Sequence, residues 1–276
     1  IATPTFLRGY LKRCEKDDFA SLDLILAGAE KLTDDIRNAM REKFGKELYE
    51  GYGMTEMAPL VSVNVPDYRA QFTQTGNKPG TVGRPIPNVA AKVVDLETGK
   101  EQPNGKTGML HVKGPNLMAG YLNRPDLTAE KIVDGWYVTG DLAEIDDEGF
   151  ITITGRISRF SKIGGEMVPH GKIEDAIHKF VAKDGELKCV VTSVADDRKG
   201  ERIIVLHTEI TKTPDEIRKA LTEEGFPNLW VPARDSFFEV GVIPVLGTGK
   251  ISLSEAKTLA EQKVAAQEAK GAAAPE

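Results

Sequence analysis

The chain has 276 residues, a length that ordinary domain sizes divide into about two domains. With 40% hydrophobic and 28% charged residues it is globular in composition, which excludes wholesale disorder and fibrous repeats. Its 36 Lys and Arg against 42 Asp and Glu give a net charge of −6, which disfavours a dedicated nucleic-acid binder but leaves room for anions in a locally basic cleft. Cys14 and Cys189 are too few and too far apart for a disulfide framework or a zinc site, and a reducing cytosol fits them. No apolar run approaches the ~18 residues of a membrane span, and no signal peptide is legible behind Ile1.

The pattern predicts a short helix over Thr5 to Cys14 and a buried strand over Leu22 to Ala27, followed by Gly28-Ala29-Glu30. Thr33 is placed to cap a helix whose first turn carries Asp34 and Asp35 and whose apolar stripe is Ile36, Met40 and Phe44. Strand signals then run from Glu47 to Glu50 and from Leu60 to Val65 around the turn Gly51-Tyr52-Gly53. This alternation predicts part of a parallel α/β sheet over residues 1–75. From Gly76 the chain becomes rich in Gly and Pro, with short alternating runs at Ala90 to Asp95, Met109 to Lys113, Trp136 to Val138 and Phe150 to Thr154. These predict a small antiparallel β-barrel over residues 76–157.

A C-terminal α+β domain is expected over residues 158–264. Its signals are a helix marked by Ile173, Ile177 and Phe180, strands at Lys188 to Val194 and Arg202 to Glu209, and capping patterns at Thr213 to Glu216 and Ser252 to Glu255. Residues 265–276 are expected to fray. The fold class is therefore multidomain α/β and α+β.

Familiar catalytic motifs are missing: no dinucleotide glycine fingerprint, no Walker loop, no zinc-protease helix and no nucleophile elbow. Gly247-Thr-Gly-Lys250 imitates a Walker loop, but Pro244 stands where the first glycine belongs and Ile251 where a hydroxyl is required. The histidines His111, His170, His178 and His207 lack metal-ligand spacing. The run Gly51-Tyr-Gly-Met-Thr-Glu56 is richer. Glycines let backbone approach a planar ligand, Tyr52 offers a stacking face, Thr55 a hydroxyl for a phosphate oxygen and Glu56 a hard oxygen for Mg²⁺. Taken alone, the same run is also a tight turn between two strands.

With its companions, the sequence resembles the adenylate-forming superfamily of acyl-CoA synthetases, luciferases and peptide-synthetase adenylation domains. Six motifs carry the resemblance, in family order: Gly28-Ala29-Glu30, Tyr52-Gly53-Met54-Thr55-Glu56, Gly80-Thr-Val-Gly83-Arg-Pro85, Trp136-Tyr-Val-Thr-Gly140-Asp141, Gly155-Arg156 and Gly247-Thr-Gly-Lys250. The resemblance implies ATP and Mg²⁺ as cofactors. Gly28, Ala29, Glu30, Tyr52, Gly53 and Met54 would line the nucleotide, Asp141 and Arg156 would hold its ribose, Thr55 and Glu56 would meet phosphate and metal, and Lys250 would be the catalytic lysine. A carboxylate can accept two ribose hydroxyls, and a mobile ammonium can stabilise charge building on the α-phosphate, so each carried role makes chemical sense. Carboxylate attack on phosphorus needs alignment and charge neutralisation more than a strong base, which suits a set without a histidine dyad. The small domain is implied to rotate between half-reactions about a hinge at Ser158, where relatives carry Asp or Lys, with Lys162 and Gly165 serving the second half-reaction.

The run Gly155-Arg-Ile-Ser-Arg159-Phe-Ser-Lys162-Ile-Gly-Gly165-Glu-Met-Val168 looks like the acyl–acyl carrier protein synthetase half of bacterial 2-acylglycerophosphoethanolamine acyltransferases. That likeness implies a long-chain fatty acid donor, transfer to the phosphopantetheine thiol of acyl carrier protein and lysophospholipid reacylation downstream, with CoA as the alternative acceptor. A non-catalytic module that binds nucleotide or carrier protein is the alternative outside enzymology. Arg159 and Lys162 are candidates to meet an acidic carrier protein. The family's phosphate loop has no counterpart in this sequence, so the chain is expected to be the C-terminal portion of an adenylation module, inactive by itself. A cytoplasmic location is expected, at the inner face of the bacterial membrane for the whole protein.

Overall fold

Two helices and a small mixed sheet open the first unit. Helix α1 (Pro4–Arg13) starts behind Thr3, whose hydroxyl accepts from the Phe6 N–H. Strand β1 (Ile25–Ala27) is followed by α2 (Asp34–Phe44), which takes Thr33 as N-cap and stops at Gly45 in the left-handed region (φ 66°). The expected stripe of Ile36, Met40 and Phe44 is buried against Leu7, Phe19, Ile25 and Leu48. The computed structural model describes residues 1–69, 73–181, 187–246 and 251–272, and it divides the chain into two units, Ile1–Thr154 and Gly155–Glu276.

Strand β2 (Leu48–Gly53) lies parallel to β1, with α2 as the crossover. Strand β3 (Leu60–Val63) then runs antiparallel to β2. A small hairpin pairs β4 (Tyr68–Arg69) with β5 (Thr73–Gln74), and β6 (Arg84–Pro85) completes the order β1-β2-β3-β6 by pairing antiparallel with β3. The sheet is thus mixed where a parallel one was expected. The link from Gly53 to Leu60 is too short for the dozen or so residues that a parallel crossover takes, so the chain reverses.

A buried ion pair of Arg37 with Glu50 locks α2 to β2, and Arg37 also donates to the Leu48 carbonyl at 3.2 Å. Burial pushes the Glu50 carboxyl above its usual range against the pull of Arg37, and the Gly80 N–H donates to the same carboxylate at 3.3 Å. Gly83 is required where it stands. Its φ is +81°, and a Cβ there would lie 1.9 Å from the Val63 carbonyl carbon.

The rest of the first unit is antiparallel: β7 (Ala90–Val94), β8 (Gly108–Lys113), α3 (Pro125–Lys131), β9 (Ile132–Val133), β10 (Trp136–Ile145) and β11 (Ile151–Arg156). The strands form a half-barrel in the order β11-β10-β8-β7, with β9 on β10. Met57, Val61, Leu110, Val112, Tyr137, Ala143 and Ile151 make its core, against which Tyr52 and Met54 pack.

In the second unit β12 (Phe160–Ile163) and β13 (Glu166–Pro169) form a hairpin through Gly164 and Gly165, both at positive φ (57° and 89°), as a two-residue turn of matching twist requires. Helix α4 (His170–Val181), β14 (Cys189–Asp196) and β15 (Gly200–His207) follow. Next come α5 (Pro214–Glu223), with its Thr213–Glu216 capping box formed in both directions, β16 (Phe237–Glu239) and α6 (Leu253–Ala272). The central strands bury both faces. Cys189, Val191, Ile203 and Val205 meet Ile173, Ile177, Ile217 and Leu221, while Val190, Ile204 and Leu206 meet Ala256, Ala260 and Val264 on α6. A strand covered on both sides reads as a continuous apolar run, which is why these strands were legible.

Helix α6 continues to Ala272, through most of the segment expected to fray, because Ala, Gln, Glu and Lys all favour helix and Val264 anchors that turn in the core. Ser252 holds the N-cap position of α6, but its buried hydroxyl finds no partner among the described residues. Among the described residues no helix is long and apolar enough to cross a membrane.

His170 is buried with Ser161 Oγ 2.6 Å from its Nε2, and burial, aided by the charges of Arg159 and Lys257, drives its pKa down to about 4. Unfolded chain therefore binds a proton between pH ~6.5 and ~4 that folded chain refuses, so this contribution is complete above the unfolded value and is lost as pH falls, by about 3 kcal/mol in all. Urea titrations across that range should show the acid limb, and His170→Gln should flatten it. An unchanged limb in the variant would place the sensitivity elsewhere.

Candidate functional site

Two backbone irregularities build the centre of the site in the first unit. In β10 the pairing with β8 shifts between Val138 and Leu142, where Gly140 takes φ 77°. This bulge breaks strand alternation and re-aims the side chain of Asp141. Thr139 secures it, donating from Oγ1 to the Leu110 carbonyl at 2.8 Å and accepting from the Asp141 N–H at 3.0 Å. In β2 the register against β3 shifts between Tyr52 and Gly53. Only glycine fits at 53, because a Cβ would stand 2.1 Å from the Pro59 carbonyl oxygen, and the Met54 N–H donates to that same oxygen at 2.7 Å.

The two irregularities meet: the Tyr52 hydroxyl donates to Asp141 Oδ2 at 2.5 Å. Of the residues singled out in the sequence, these two are brought into direct contact. Gly28 lies beside them, its missing Cβ only 3.3 Å from the Gly51 carbonyl oxygen, and Ala29 turns the chain there at φ 67°. Glu30 is exposed and accepts from the N–H and hydroxyl of Thr5 at 3.1 and 2.7 Å, so it ties the loop to the start of α1.

Beyond Gly53 the chain makes a 3-10 turn, Thr55–Met57, that presents Thr55 at the surface and leaves Glu56 half-buried. Glu56 Oε1 accepts from the Tyr121 hydroxyl at 2.6 Å, and the Tyr121 hydroxyl is 3.0 Å from that of Tyr137. Burial pushes both phenols above their ordinary range, helped at Tyr121 by Glu56 and at Tyr137 by Tyr121 and Glu56. The Glu56 carbonyl accepts from the Met118 N–H at 2.8 Å, and Asn116 Nδ2 donates to the carbonyls of Met57 and Leu60 at 2.6 and 2.9 Å. Asn116, Tyr121 and Tyr137 were not foreseen in the sequence. The signals existed, in Gly114-Pro-Asn116, in Gly120-Tyr121 and in an aromatic beside Trp136, but each also reads as an ordinary turn or strand residue.

The other expected residues belong to the second unit. Arg156 ends β11 and is exposed, and Ser158 sits in the exposed 3-10 turn Ile157–Arg159. Lys162 is exposed on β12 with its N–H bonded to Glu201 Oε2 at 2.8 Å, and Gly165 makes the β12–β13 turn. Arg159, expected to meet a carrier protein, instead donates to Glu174 at 2.8 Å and is largely covered. Lys250 lies outside the described residues.

No group of three or more His, Cys, Asp or Glu able to hold a metal occurs among the described residues. Glu56 with the neighbouring Thr55 hydroxyl fits Mg²⁺ only in the manner usual for that ion, one carboxylate supplemented by phosphate oxygens of a ligand.

The architecture, a mixed sheet packed on a half-barrel and followed by a two-sided α+β unit, is that of adenylate-forming enzymes. The profile of the family "AMP-binding enzyme" matches residues 1–122. A long-chain-fatty-acid–CoA ligase of Escherichia coli is 34% identical over 259 residues, 92% of this chain and 43% of that protein. ATP-bound MatB from Rhodopseudomonas palustris superposes with a TM-score of 0.77 at 29% identity, over 94% of this chain and 50% of its own. The o-succinylbenzoate CoA synthetase MenE of Bacillus subtilis, solved with its acyl-adenylate OSB-AMP, gives a TM-score of 0.74 at 25% identity, over 93% of this chain and 50% of its own. The chain belongs to the AMP-binding enzyme family, and it spans about half the length of the relatives it matches.

Asn116→Ala should leave two strand-end carbonyls without their donor and lower the stability of the first unit by about 2–3 kcal/mol, read from urea unfolding. A change below ~0.5 kcal/mol would show that water replaces the amide at no cost.

Proposed function

We propose that this chain supplies the nucleotide-binding face of an AMP-forming acid–thiol ligase acting on a long-chain fatty acid. The observation that carries the reading is the Tyr52–Asp141 hydrogen bond, which joins two motif residues 89 positions apart at one place. A ring fixed by its hydroxyl offers its face to adenine, and the carboxylate it touches retains acceptor capacity for ribose hydroxyls. Thr55 and Glu56, a turn further on, would meet the phosphates, and Mg²⁺ held between Glu56 and those phosphates would neutralise charge on them. Arg156 as a ribose ligand and Lys250 as the catalytic lysine enter this reading through their motifs alone.

In the proposed reaction the fatty carboxylate attacks the α-phosphorus of ATP, pyrophosphate leaves, and a thiol then takes the acyl group and releases AMP. The protein's part is alignment and charge stabilisation, the terms that dominate phosphoryl chemistry. The Escherichia coli relative is named for CoA, which favours CoA as the thiol. Transfer to acyl carrier protein, with lysophospholipid reacylation downstream, rests on the run Gly155–Val168, and the commitment of Arg159 to Glu174 removes one of the two cations that would have served it.

Calorimetry on this chain tests the nucleotide reading. AMP should bind, and Asp141→Asn should weaken binding about ten- to hundredfold, the worth of a hydrogen bond to a charged acceptor, while 2′,3′-dideoxy-AMP binds both forms alike. Equal affinity of AMP for both forms would overturn the role of Asp141. For the acceptor, whole protein given ATP, labelled palmitate, CoA and holo acyl carrier protein together should place the label on CoA. Label on the carrier protein would reverse that choice.

A further inference from the structure

We propose that Tyr121 and Tyr137 are positioning residues that aim the Glu56 carboxylate at the divalent cation of a bound nucleotide, an inference that rests on the nucleotide reading above. Glu56 is the one carboxylate in the Tyr52–Glu56 run, and a lone carboxylate on a short 3-10 turn sweeps a wide volume unless something fixes it. Here it is fixed at both ends. Its backbone carbonyl is held by the Met118 N–H at 2.8 Å and its Oε1 by the Tyr121 hydroxyl at 2.6 Å.

Tyr121 is itself immobilised. Its N–H donates to Thr128 Oγ1 at 2.9 Å, and its hydroxyl lies 3.0 Å from that of Tyr137, which is buried in the half-barrel core on β10. Three chain segments therefore converge on one carboxylate: the turn after β2, the loop before α3, and β10. Phenols are donors suited to this task. They carry no charge to compete with a cation, and burial keeps both in the protonated form that donates. A lysine or arginine in the same place would neutralise Glu56 and weaken its attraction for Mg²⁺; a phenol orients the carboxylate and leaves it anionic. Because β10 also carries Asp141, the strand that aims the expected ribose ligand holds the far end of the Glu56 brace. One rigid element thus sets the spacing between sugar and phosphate contacts.

The test is the Mg²⁺-dependent part of ATP affinity, measured by calorimetry on this chain with Mg²⁺ and again with EDTA. Tyr121→Phe and Tyr137→Phe keep the rings and remove the hydroxyls. Wild type should bind ATP more tightly with Mg²⁺. Tyr121→Phe should remove about tenfold of that gain, Tyr137→Phe should remove less, and the affinity in EDTA should be unchanged in both. A full Mg²⁺ gain in Tyr121→Phe, or an equal loss with and without the metal, would overturn the positioning role. Retention of the gain in Glu56→Gln would instead refute Glu56 as the metal-facing carboxylate. Failure of wild type to bind ATP or AMP at all would refute the nucleotide reading on which the inference stands.

Discussion

The hydroxyl of Tyr52 reaches Asp141 across 89 positions of sequence, and the geometry of the first unit is arranged around that reach. Neither residue could make it from a regular strand. In an unbroken β2 or β10, alternation alone would decide which face each side chain takes, and each strand must also bury apolar neighbours on its inner face. The bulges release the two side chains from that rule. Gly140 at positive φ turns Asp141 out, and Gly53, whose Cβ has no room beside Pro59, lets the chain fold back immediately after Tyr52. Hydrogen bonds to charged acceptors contribute about 1.5–3 kcal/mol, so this one offsets part of the cost of breaking two ladders at the same place.

Supports behind the pair follow the same logic of tying loops to strands. The Arg37–Glu50 ion pair holds β2 from below and reaches the Gly80 N–H, while Gly83 lies directly against β3. Asn116 clamps both carbonyls that flank the turn carrying Thr55 and Glu56. Each support leaves a polar group without a partner if removed, and an unsatisfied buried polar group costs more than a satisfied one contributes. The loops around Tyr52 and Asp141 are irregular, yet they are held by the same satisfaction rule that holds a sheet.

Much of this was legible in the sequence because local physics dictates it. Thr33 and Gly45 bound α2, the Thr213–Glu216 box starts α5, and the double-faced apolar runs of β14 and β15 announce a buried sheet. Four features were not. The reversal after Gly53, which makes the sheet mixed, depends on a turn whose compactness comes from Met54 bonding to Pro59. Helix α3 is a short segment with no buried residue, so it leaves no periodic stripe to read. The persistence of α6 to Ala272 came from intrinsic propensity, which outweighed the low-complexity look of the tail. Tyr121 and Tyr137 were overlooked because a hydroxyl's partner is a matter of tertiary placement, and nothing within a few residues of either names Glu56.

The fate of Arg159 shows why motif residues and their neighbours deserve different treatment. In sequence it stands among Arg156, Ser158 and Lys162 and looks like one more exposed cation. In the fold it turns toward α4 and pairs with Glu174, whose other oxygen accepts from the Val191 N–H at 2.8 Å. That carboxylate bridges a helix and the central strand, so removing Arg159 would strand a buried charge, a change that costs about 3–5 kcal/mol when a buried pair is broken. Selection for folding alone explains Arg159. The same argument cannot be made for Tyr52 and Asp141, because either bulge could be replaced by regular strand with better pairing and no loss of core. Two departures from regularity that weaken their own strands and still converge on one hydrogen bond are accounted for by what they hold together, not by stability.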